Sequence, residues 1–505
     1  MKHRTTALLG ALVATLLVLS GCAPTPTEST PTGEEVAPEL QRFYEQKLVW
    51  KKCGTSGKTQ CADATAPLDW NSPTGETITL ALSRRLATGT KQGSLLVNPG
   101  GPGASGYQFV LDSADFAVSA EARKHFDVVG FDPRGVNRSS AVSCADTPEE
   151  LTEALYDLAP YPTGSEEWID AQEAASAEFG QACLTHTGPL LQFVDTVSAA
   201  RDLDLLRAIL GDTALNYLGY SYGTFLGATY ADLYPEKTGR LVLDGALDPA
   251  TTEFEVTSVQ AQGFESALRA YLADCITGTE CPFRGTVDDA MNDIGTLLSE
   301  VDRSPLRAKD GRQLGSGALL TAIILPLYST SMWGYLGELF TSVTAGDPEI
   351  AFSLADSYYG RLPDGSFEDN STEAFTAINC LDYSSTTTRE QLHQEAAQLA
   401  EMAPTFGPWM SYGGTSCQQW PYPSTRERAP ITASGSAPIL VVGTTNDPAT
   451  PYRWAENLAG QLENGHLVTY QGEGHTAYNK TNSCINKAVD TYLIHGTVPD
   501  ADPKC

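Results

Sequence analysis

The segment best suited to covalent chemistry is Gly219-Tyr220-Ser221-Tyr222-Gly223, a G-x-S-x-G pattern. Such a pattern places a serine on a sharp turn between a strand and a helix, where the glycines relieve backbone crowding and the hydroxyl projects above a sheet. Leu215 to Gly219 has the composition of a buried strand, and Thr224 to Leu233 has that of a helix. Outside this context the pattern would indicate only a serine in a glycine-rich turn. We therefore predict that Ser221 is a nucleophile.

A nucleophilic serine needs a histidine as general base and a carboxylate that orients the histidine. His475 and Asp447 each come directly after a short apolar run typical of a buried strand. Open α/β sheets gather their site residues in loops of this kind, with the acid before the base in the chain. Asp447 and His475 are thus the predicted acid and base. Asp244 and Asp248, which follow the preceding strand, remain alternatives for the acid.

The glycine-rich run from Asn98 to Gly103 (NPGGPG) follows another strand-like segment. Backbone N–H groups can approach a developing oxyanion only where no side chain intervenes, so consecutive glycines suit an oxyanion hole. We expect the N–H groups of Gly101 and Tyr222 to be the donors. A phosphate-binding loop is disfavoured because the lysine of its G-x-x-x-x-G-K-[ST] pattern is missing.

The elements that must position these residues alternate between strand and helix up to about residue 250, which predicts a mostly parallel central sheet with helices on both faces. From 251 to about 426 the pattern is mainly helical, and buried strands then return. We predict an α/β-hydrolase fold with a large helical cap inserted after the sixth strand. The predicted divisions are a signal peptide (1–21), a lipid-anchored flexible linker (22–38), the first part of the core (39–250), the cap (251–426), and the second part of the core with the acid and base (427–505).

Composition and charge restrict the class of partner. Of 505 residues, 41% are hydrophobic and 19% are charged, which is typical of a globular protein with a sizeable core. Lys and Arg total 32 and Asp and Glu total 62, so the formal net charge is −30. Such a surface repels phosphate backbones, and we expect no nucleic-acid partner.

The amino terminus has the pattern of an export signal. Lys2 and Arg4 precede an apolar run from Ala7 to Leu19, which is too short to cross about 30 Å of hydrocarbon but suits a signal-peptide core. The run ends in Leu19-Ser20-Gly21-Cys22, which resembles a bacterial lipobox. We therefore predict an exported protein, either anchored to the outer face of the cell membrane by a lipid on Cys22 or secreted.

Eleven cysteines fit the same compartment. With Cys22 set aside for the lipid, ten remain, which is enough for five disulfides in an oxidising environment. Sequence alone does not fix the connectivity, and pairing of nearest neighbours is the simplest arrangement. No cysteine and histidine spacing is typical of a zinc site, so we predict no metal and no organic cofactor.

Several motifs together resemble the actinobacterial tripeptidyl aminopeptidases, α/β-hydrolases related to prolyl iminopeptidases. The resemblance covers nearly all of the mature chain, although Asn98-Pro99 stands where prolyl iminopeptidases carry a histidine before the glycines. The motifs are NPGGPGASG (98–106), FDPRGVNRSS (131–140), GYSYGT (219–224), VLDGALDP (242–249), INCLD (378–382), CQQWP (417–421), GTTNDPATP (443–451) and GEGHTAY (472–478).

The resemblance implies a Ser221, Asp447 and His475 triad that removes short peptides, typically tripeptides, from free amino termini. Such an enzyme needs a carboxylate that pairs with the substrate ammonium at a fixed distance from the nucleophile. Asp382 is the predicted carboxylate, with Glu253 and Glu255 as alternatives.

The leading hypothesis is therefore a monomeric, exported serine exopeptidase whose partners are peptides with a free amino terminus. A carboxylesterase or lipase-like hydrolase of acyl esters would use the same triad. A non-catalytic solute-binding lipoprotein is a more distant alternative, because it would have no use for a complete nucleophile, acid, base and glycine loop.

Overall fold

The computed structural model describes residues 27–505 except residues 56, 425, 481 and 500. Its strands are β1 (Thr27–Glu28), β2 (Val49–Cys53), β3 (Thr59–Pro67), β4 (Thr77–Arg85), β5 (Gly93–Asn98), β6 (Phe126–Phe131), β7 (Leu215–Tyr220), β8 (Thr238–Asp244), β9 (Leu306–Arg307), β10 (Gln313–Leu314), β11 (Ile439–Asn446) and β12 (Gly465–Glu473).

Ten of these strands form one sheet within the described part of the chain, in the order β1-β2-β3-β4-β6-β5-β7-β8-β11-β12. Neighbouring strands from β6 to β12 pair in parallel, whereas β1 to β4 and the β4–β6 pair are antiparallel. The β9 and β10 strands form a separate pair. The predicted α/β-hydrolase fold with a mostly parallel sheet is confirmed.

The helices lie between the strands and after the last one. They are α1 (Gln41–Tyr44), α2 (Gly106–Ala117), α3 (Pro148–Tyr156), α4 (Glu166–Thr187), α5 (Thr196–Leu210), α6 (Tyr222–Leu233), α7 (Glu253–Cys275), α8 (Val287–Arg303), α9 (Ser316–Leu327), α10 (Trp333–Thr344), α11 (Glu349–Tyr359), α12 (Ser371–Asp382), α13 (Arg389–Met402), α14 (Gly407–Met410), α15 (Arg453–Gln461) and α16 (Ser483–His495).

Local signals explain where the helix preceding the nucleophile strand begins and ends. The side chain of Asp195 accepts the N–H of Ser198 and caps α5, and Gly211 ends the helix in the left-handed region at φ 88°. The helix then buries a long apolar face against the sheet, with Leu203 and Leu206 completely enclosed. The chain consequently enters β7, and with it the nucleophile turn, from a rigid support.

A segment of eight helices, α7 to α14, separates β8 from β11 in the described chain and encloses an apolar cluster of its own. It follows the eighth strand rather than the predicted sixth, because the two short strands β1 and β2, of two and five residues, do not stand out in the sequence. One of its helices, α12, packs on the sheet's core through Ala377 and Ile378 instead of joining the cap cluster.

A flexible linker was predicted over residues 22–38, but from Thr27 onward the structure differs from this prediction. β1 pairs with β2, and Thr32 N–H donates to the Ala208 carbonyl at 2.9 Å. Burial alone would raise the pKa of Glu34, but hydrogen bonds from Arg207 and Lys237 outweigh burial and lower the pKa to about 2. The Pro, Thr and Glu composition gave no sign that this glutamate neutralises two cations of the core.

Ten cysteines form five disulfides, each between nearest neighbours in the sequence, so the simplest predicted arrangement is confirmed. The pairs are Cys53–Cys61, Cys144–Cys183, Cys275–Cys281, Cys380–Cys417 and Cys484–Cys505. The signal peptide over 1–21 and the lipidation site at Cys22 lie outside the described residues. Among those that are described, no helix has the length and apolar character needed to cross a membrane.

Candidate active site

Ser221 occupies a strained turn between the end of β7 and the start of α6. Its backbone has φ 54° and ψ −125°, a conformation that non-glycine residues rarely adopt. The turn is anchored by Ser221 N–H, which donates to the Asp244 carbonyl at 2.9 Å. A side chain on Gly219 could not fit, because its Cβ would lie 2.3 Å from the Gly223 carbonyl oxygen. Both glycines of the G-x-S-x-G pattern therefore belong to the geometry that holds Ser221.

The glycine-rich loop after β5 passes directly beside this turn. A Cβ built on Gly100 would lie 2.9 Å from Ser221 Cβ and 3.2 Å from the Tyr222 nitrogen, so only glycine allows this approach. The Asn98 side chain accepts Gly100 N–H at 2.9 Å and fixes the loop. Gly101 N–H has no acceptor among the described residues, and Tyr222 begins α6, where N–H groups lack intrahelical acceptors. Both expected oxyanion donors are thus available to a ligand.

His475 and Asp447 are brought together by the parallel pairing of β11 with β12. His475 Nδ1 lies 2.9 Å from Asp447 Oδ1 and 3.0 Å from Oδ2. Because a carboxylate can only accept, Nδ1 carries the proton and Nε2 is the basic nitrogen. Nε2 has no hydrogen-bond partner among the described residues, Ser221 included, so it remains available as a hydrogen-bond acceptor.

The acid is almost fully enclosed, with 2% of Asp447 exposed. Its Oδ1 accepts the N–H groups of Ala449 and Thr450 at 3.0 and 2.8 Å, and its Oδ2 accepts Thr476 N–H at 3.1 Å. These donors satisfy the carboxylate oxygens in place of water. The histidine is therefore oriented by a carboxylate that is itself held from both sides.

Two partners of the histidine were not found from the sequence. Thr450 Oγ1 lies 3.2 Å from His475 Nδ1 and donates to Asp447 Oδ2 at 3.0 Å. The Tyr328 ring packs edge-to-face on the imidazole with centroids 5.2 Å apart, and the Tyr328 carbonyl accepts His475 N–H at 2.9 Å. The Asp447-Pro-Ala-Thr450 spacing, typical of a side chain that caps its own turn, was a usable signal for Thr450. Nothing comparable marked Tyr328, which lies in the inserted segment.

The alternative acids occupy different positions around the same loop. Asp244 is fully buried and accepts the N–H groups of Ala477 and Tyr478 at 3.0 and 2.8 Å, and burial raises its pKa to about 6. Asp248 instead accepts the side-chain amides of Asn457 and Gln461, both at 2.8 Å. Neither carboxylate is hydrogen-bonded to the His475 ring.

Asp382, the carboxylate predicted to bind the substrate ammonium, is buried with 1% exposed. Its Oδ1 accepts Thr196 N–H at 3.0 Å and its Oδ2 accepts the Thr196 hydroxyl at 2.5 Å. The same hydroxyl lies 2.5 Å from the hydroxyl of Tyr222, the residue after the nucleophile. Burial raises the pKa of Asp382 to about 6. Both of its oxygens are therefore occupied by groups that hold the side chain of Tyr222.

The two other carboxylates considered from the sequence begin α7. Glu255 is exposed and accepts Thr252 N–H at 2.7 Å within a capping box. Glu253 is half-buried, and it lines a cavity of about 240 Å³ together with Glu395. We call this the carboxylate cavity. Burial, reinforced by the charge of Glu395, raises the pKa of Glu253 to about 7. A cationic ligand would therefore find two closely placed carboxyl groups there.

The described residues contain no group of three or more His, Cys, Asp or Glu side chains arranged to hold a metal ion. The arrangement of Ser221, His475 and Asp447, with glycine-loop N–H groups beside the serine, is suited to acyl transfer through a covalent serine ester.

Comparison with known proteins gives matches along most of the chain. Residues 403–505 match a family profile described as TAP-like protein. The chain is 36% identical to "Serine protease Hip1" of Mycobacterium tuberculosis, with 98% of this chain and 96% of that protein covered. It is 34% identical to "Carboxylesterase B" of the same organism, with 99% and 96% covered. It is 31% identical to "Tripeptidyl aminopeptidase" of Streptomyces coelicolor, with 90% and 85% covered. Each alignment thus includes the inserted helices as well as the sheet.

Proposed function

The chain belongs to the tripeptidyl aminopeptidase-like family of α/β-hydrolases and is a serine hydrolase, and on this premise we propose that it releases short peptides, chiefly tripeptides, from free amino termini. The observation that carries the proposal is the ordered set of Ser221 on its strained turn, the glycine loop beside it, and His475 held by Asp447. Full-length relatives named as a serine protease and as a tripeptidyl aminopeptidase support the choice of peptides as substrates.

The proposed reaction begins when His475 Nε2 takes the proton of Ser221 as Oγ attacks the scissile carbonyl. The N–H groups of Gly101 and Tyr222 stabilise the oxyanion that forms. His475 then gives its proton to the leaving amine, which departs with the rest of the peptide. The short amino-terminal segment stays attached to Ser221 as an ester. A water molecule, deprotonated by the same nitrogen, hydrolyses the ester and restores the serine.

For the substrate ammonium we propose Glu253 in place of Asp382. Asp382 is enclosed and already accepts hydrogen bonds from the N–H and the hydroxyl of Thr196, so it is a poorer site for an incoming ammonium group than a carboxylate that borders a cavity. Glu253 borders a cavity, and no described Lys or Arg forms an ion pair with Glu253 or Glu395. A carboxylate held in a partly desolvated site without a cation gains most from an incoming ammonium.

The test of the peptidase is hydrolysis of a matched panel: tripeptide reporters with a free amine, their N-acetylated forms, and simple acyl esters. We expect acetylation to abolish cleavage of the peptides, because an uncharged amide cannot pair with Glu253. Glu253→Gln should raise KM for free peptides and leave the esters unchanged. Glu255→Gln is the matched control, because glutamine also serves in a capping box. Equal cleavage of free and acetylated peptides would reject the exopeptidase.

A second candidate is a carboxylesterase, which the relative named "Carboxylesterase B" favours. The triad does not distinguish an ester from an amide, so the same panel separates the two functions. High turnover of acyl esters with no cleavage of any peptide would establish the esterase.

We also propose that the protein is exported and carries a lipid on Cys22. The charged and apolar pattern before Leu19-Ser20-Gly21-Cys22 and the five disulfides support this assignment. Intact mass of the protein from its native membrane should show an acylated Cys22 at the amino terminus. An unmodified or differently cut terminus would reject it.

A further inference from the structure

A second cavity, of about 570 Å³, is lined in part by the histidine loop and shares no lining residue with the carboxylate cavity. We call it the aromatic cavity, because six Phe and Tyr side chains line it. They are Phe109, Phe116, Tyr220, Tyr328, Tyr470 and Tyr478. Its volume falls within the range of roughly 300 to 1,000 Å³ that is typical of ligand pockets.

The position of the aromatic cavity relates it to one half of the substrate. His475 and Pro99, which precedes the oxyanion glycines, both line it, and Tyr220 adjoins the nucleophile. Asp447 and Thr450, which cover the Nδ1 edge of the imidazole, do not line it. The part of the ring that faces the cavity is therefore not the edge bound to the acid. Since the imidazole must hand its proton to the leaving nitrogen, a cavity lined by His475 is a suitable place for groups attached to that nitrogen.

The wall is both apolar and fixed in place. Phe109 packs edge-to-face against Phe116 and Tyr220, with centroids 6.4 and 6.2 Å apart. The Tyr220 hydroxyl is held by the Ala117 carbonyl at 2.6 Å, so its ring offers carbon atoms to the cavity. Phe116 is 57% exposed, which leaves a large apolar surface uncovered at the mouth.

The charged groups at the cavity are already engaged. The ammonium of Lys480 donates to the His475 carbonyl, and Glu473 accepts the side-chain amide of Asn446. A substrate group that enters therefore meets aromatic carbon first, and burial of apolar surface is the main source of affinity.

We propose that the aromatic cavity binds the side chain of the first residue of the leaving peptide, the residue just after the cleaved bond, and that it selects a large apolar or aromatic side chain there. This inference rests on the serine acyl-transfer chemistry of the proposed function and adds the specificity on the leaving side. It does not depend on the ammonium site, because the two cavities are separate.

The test uses the reverse of acylation, in which an amine intercepts the acyl-enzyme. An activated acyl ester loads Ser221, and phenylalaninamide or alaninamide then competes with water. The amine nitrogen attacks the ester carbonyl, the C–N bond forms, the C–O bond to Ser221 breaks, and the amine's proton passes through His475 to Ser221 Oγ. We expect phenylalaninamide to intercept roughly 10-fold or more better than alaninamide, as burial of an aromatic ring predicts.

The variant Phe116→Ala should reduce interception by phenylalaninamide about 10-fold and leave both alaninamide and ester hydrolysis within about twofold. Because Phe116 is exposed, its removal is not expected to unfold the protein. Tyr335→Ala, a truncation of a ring that is 50% exposed outside the cavity, is the matched control. Equal interception by the two amides, or an equal loss for both in Phe116→Ala, would overturn the proposal.

The outcome is independent of whether peptides are the substrate. If free-amine peptides are not cleaved but phenylalaninamide is still preferred, the exopeptidase fails and the leaving-side pocket stands. If peptides are cleaved at rates that do not vary when the fourth residue changes from Phe to Ser or Asp, the pocket fails and the exopeptidase stands.

Discussion

Replacing Asp447 by asparagine turns one carboxylate oxygen into an amide nitrogen at a position where both oxygens accept backbone N–H groups. Oδ1 accepts from Ala449 and Thr450, and Oδ2 accepts from Thr476. In either orientation the new NH₂ group faces an N–H donor, so at least one hydrogen bond is lost in a buried site. The expected loss in unfolding free energy is about 1–3 kcal/mol.

The effect of Asp447→Asn on catalysis should be much larger. An amide nitrogen beside His475 Nδ1 favours the tautomer that leaves Nε2 protonated, and a protonated Nε2 cannot accept the serine proton. A substitution of this kind lowers kcat on the order of 10⁴-fold. Steady-state hydrolysis of a tripeptide reporter and of an acyl ester should both decline, because the histidine serves both reactions.

Asp244→Asn is the matched control, because Asp244 is equally buried and holds the same loop through Ala477 and Tyr478 without touching the imidazole. It should reduce thermal stability in a melting experiment yet retain most of its turnover. A near-normal kcat in Asp447→Asn together with a loss of several orders of magnitude in Asp244→Asn would refute the reasoning and assign the acid to Asp244.

Three further outcomes are expected. Ser221→Ala should no longer be labelled by a fluorophosphonate, and its kcat should fall at least about 10³-fold while its circular dichroism spectrum is unchanged. Full activity would reject the mechanism. The ratio of kcat/KM for a free-amine peptide to kcat/KM for an acyl ester should rise as pH increases through about 7. The reason is that Glu253 binds an ammonium only when ionised, and its pKa is raised to about 7. A ratio independent of pH, or one that changes equally in Glu253→Gln, would contradict this. Cys144 and Cys183 close a loop with a sequence separation of 39. Replacing both by serine should lower the unfolding free energy by about 2–4 kcal/mol in denaturant titration. An unchanged midpoint would count against a stabilising disulfide.

Elements whose signal is local could be predicted closely from the sequence. Composition predicted a strand from Leu215 to Gly219 and a helix from Thr224 to Leu233, and the structure has them at Leu215–Tyr220 and Tyr222–Leu233. The acid and base were also accessible, because parallel strands bring the loops at their carboxyl ends to one edge of the sheet. These cases need no knowledge of distant contacts.

Features that depend on distant contacts were not predictable. The apolar residues of β2 and β3 are interrupted by polar ones, so pairing with neighbouring strands, rather than a continuous apolar run, makes them strands. Tyr328 meets His475 only because the inserted segment docks over the loop, across 147 residues of chain. The sequence could not reveal that Asp382 is buried and accepts hydrogen bonds from both the N–H and the hydroxyl of Thr196.

If Cys22 carries the proposed lipid, the docking of the amino-terminal segment sets a distance to the membrane. Between Cys22 and Thr27, where β1 begins, the chain can reach at most about 17 Å even when fully extended. A lipid on Cys22 would therefore hold the catalytic body against the headgroup layer, much closer than the longer linker predicted over 22–38 would. Peptides anchored in or adsorbed on the same surface would meet the enzyme by lateral diffusion, whereas large folded proteins would have to approach through a narrow gap. If Cys22 carries the proposed lipid, the salt bridges of Glu34 with Arg207 and Lys237 would help to set the reach of the enzyme from the membrane.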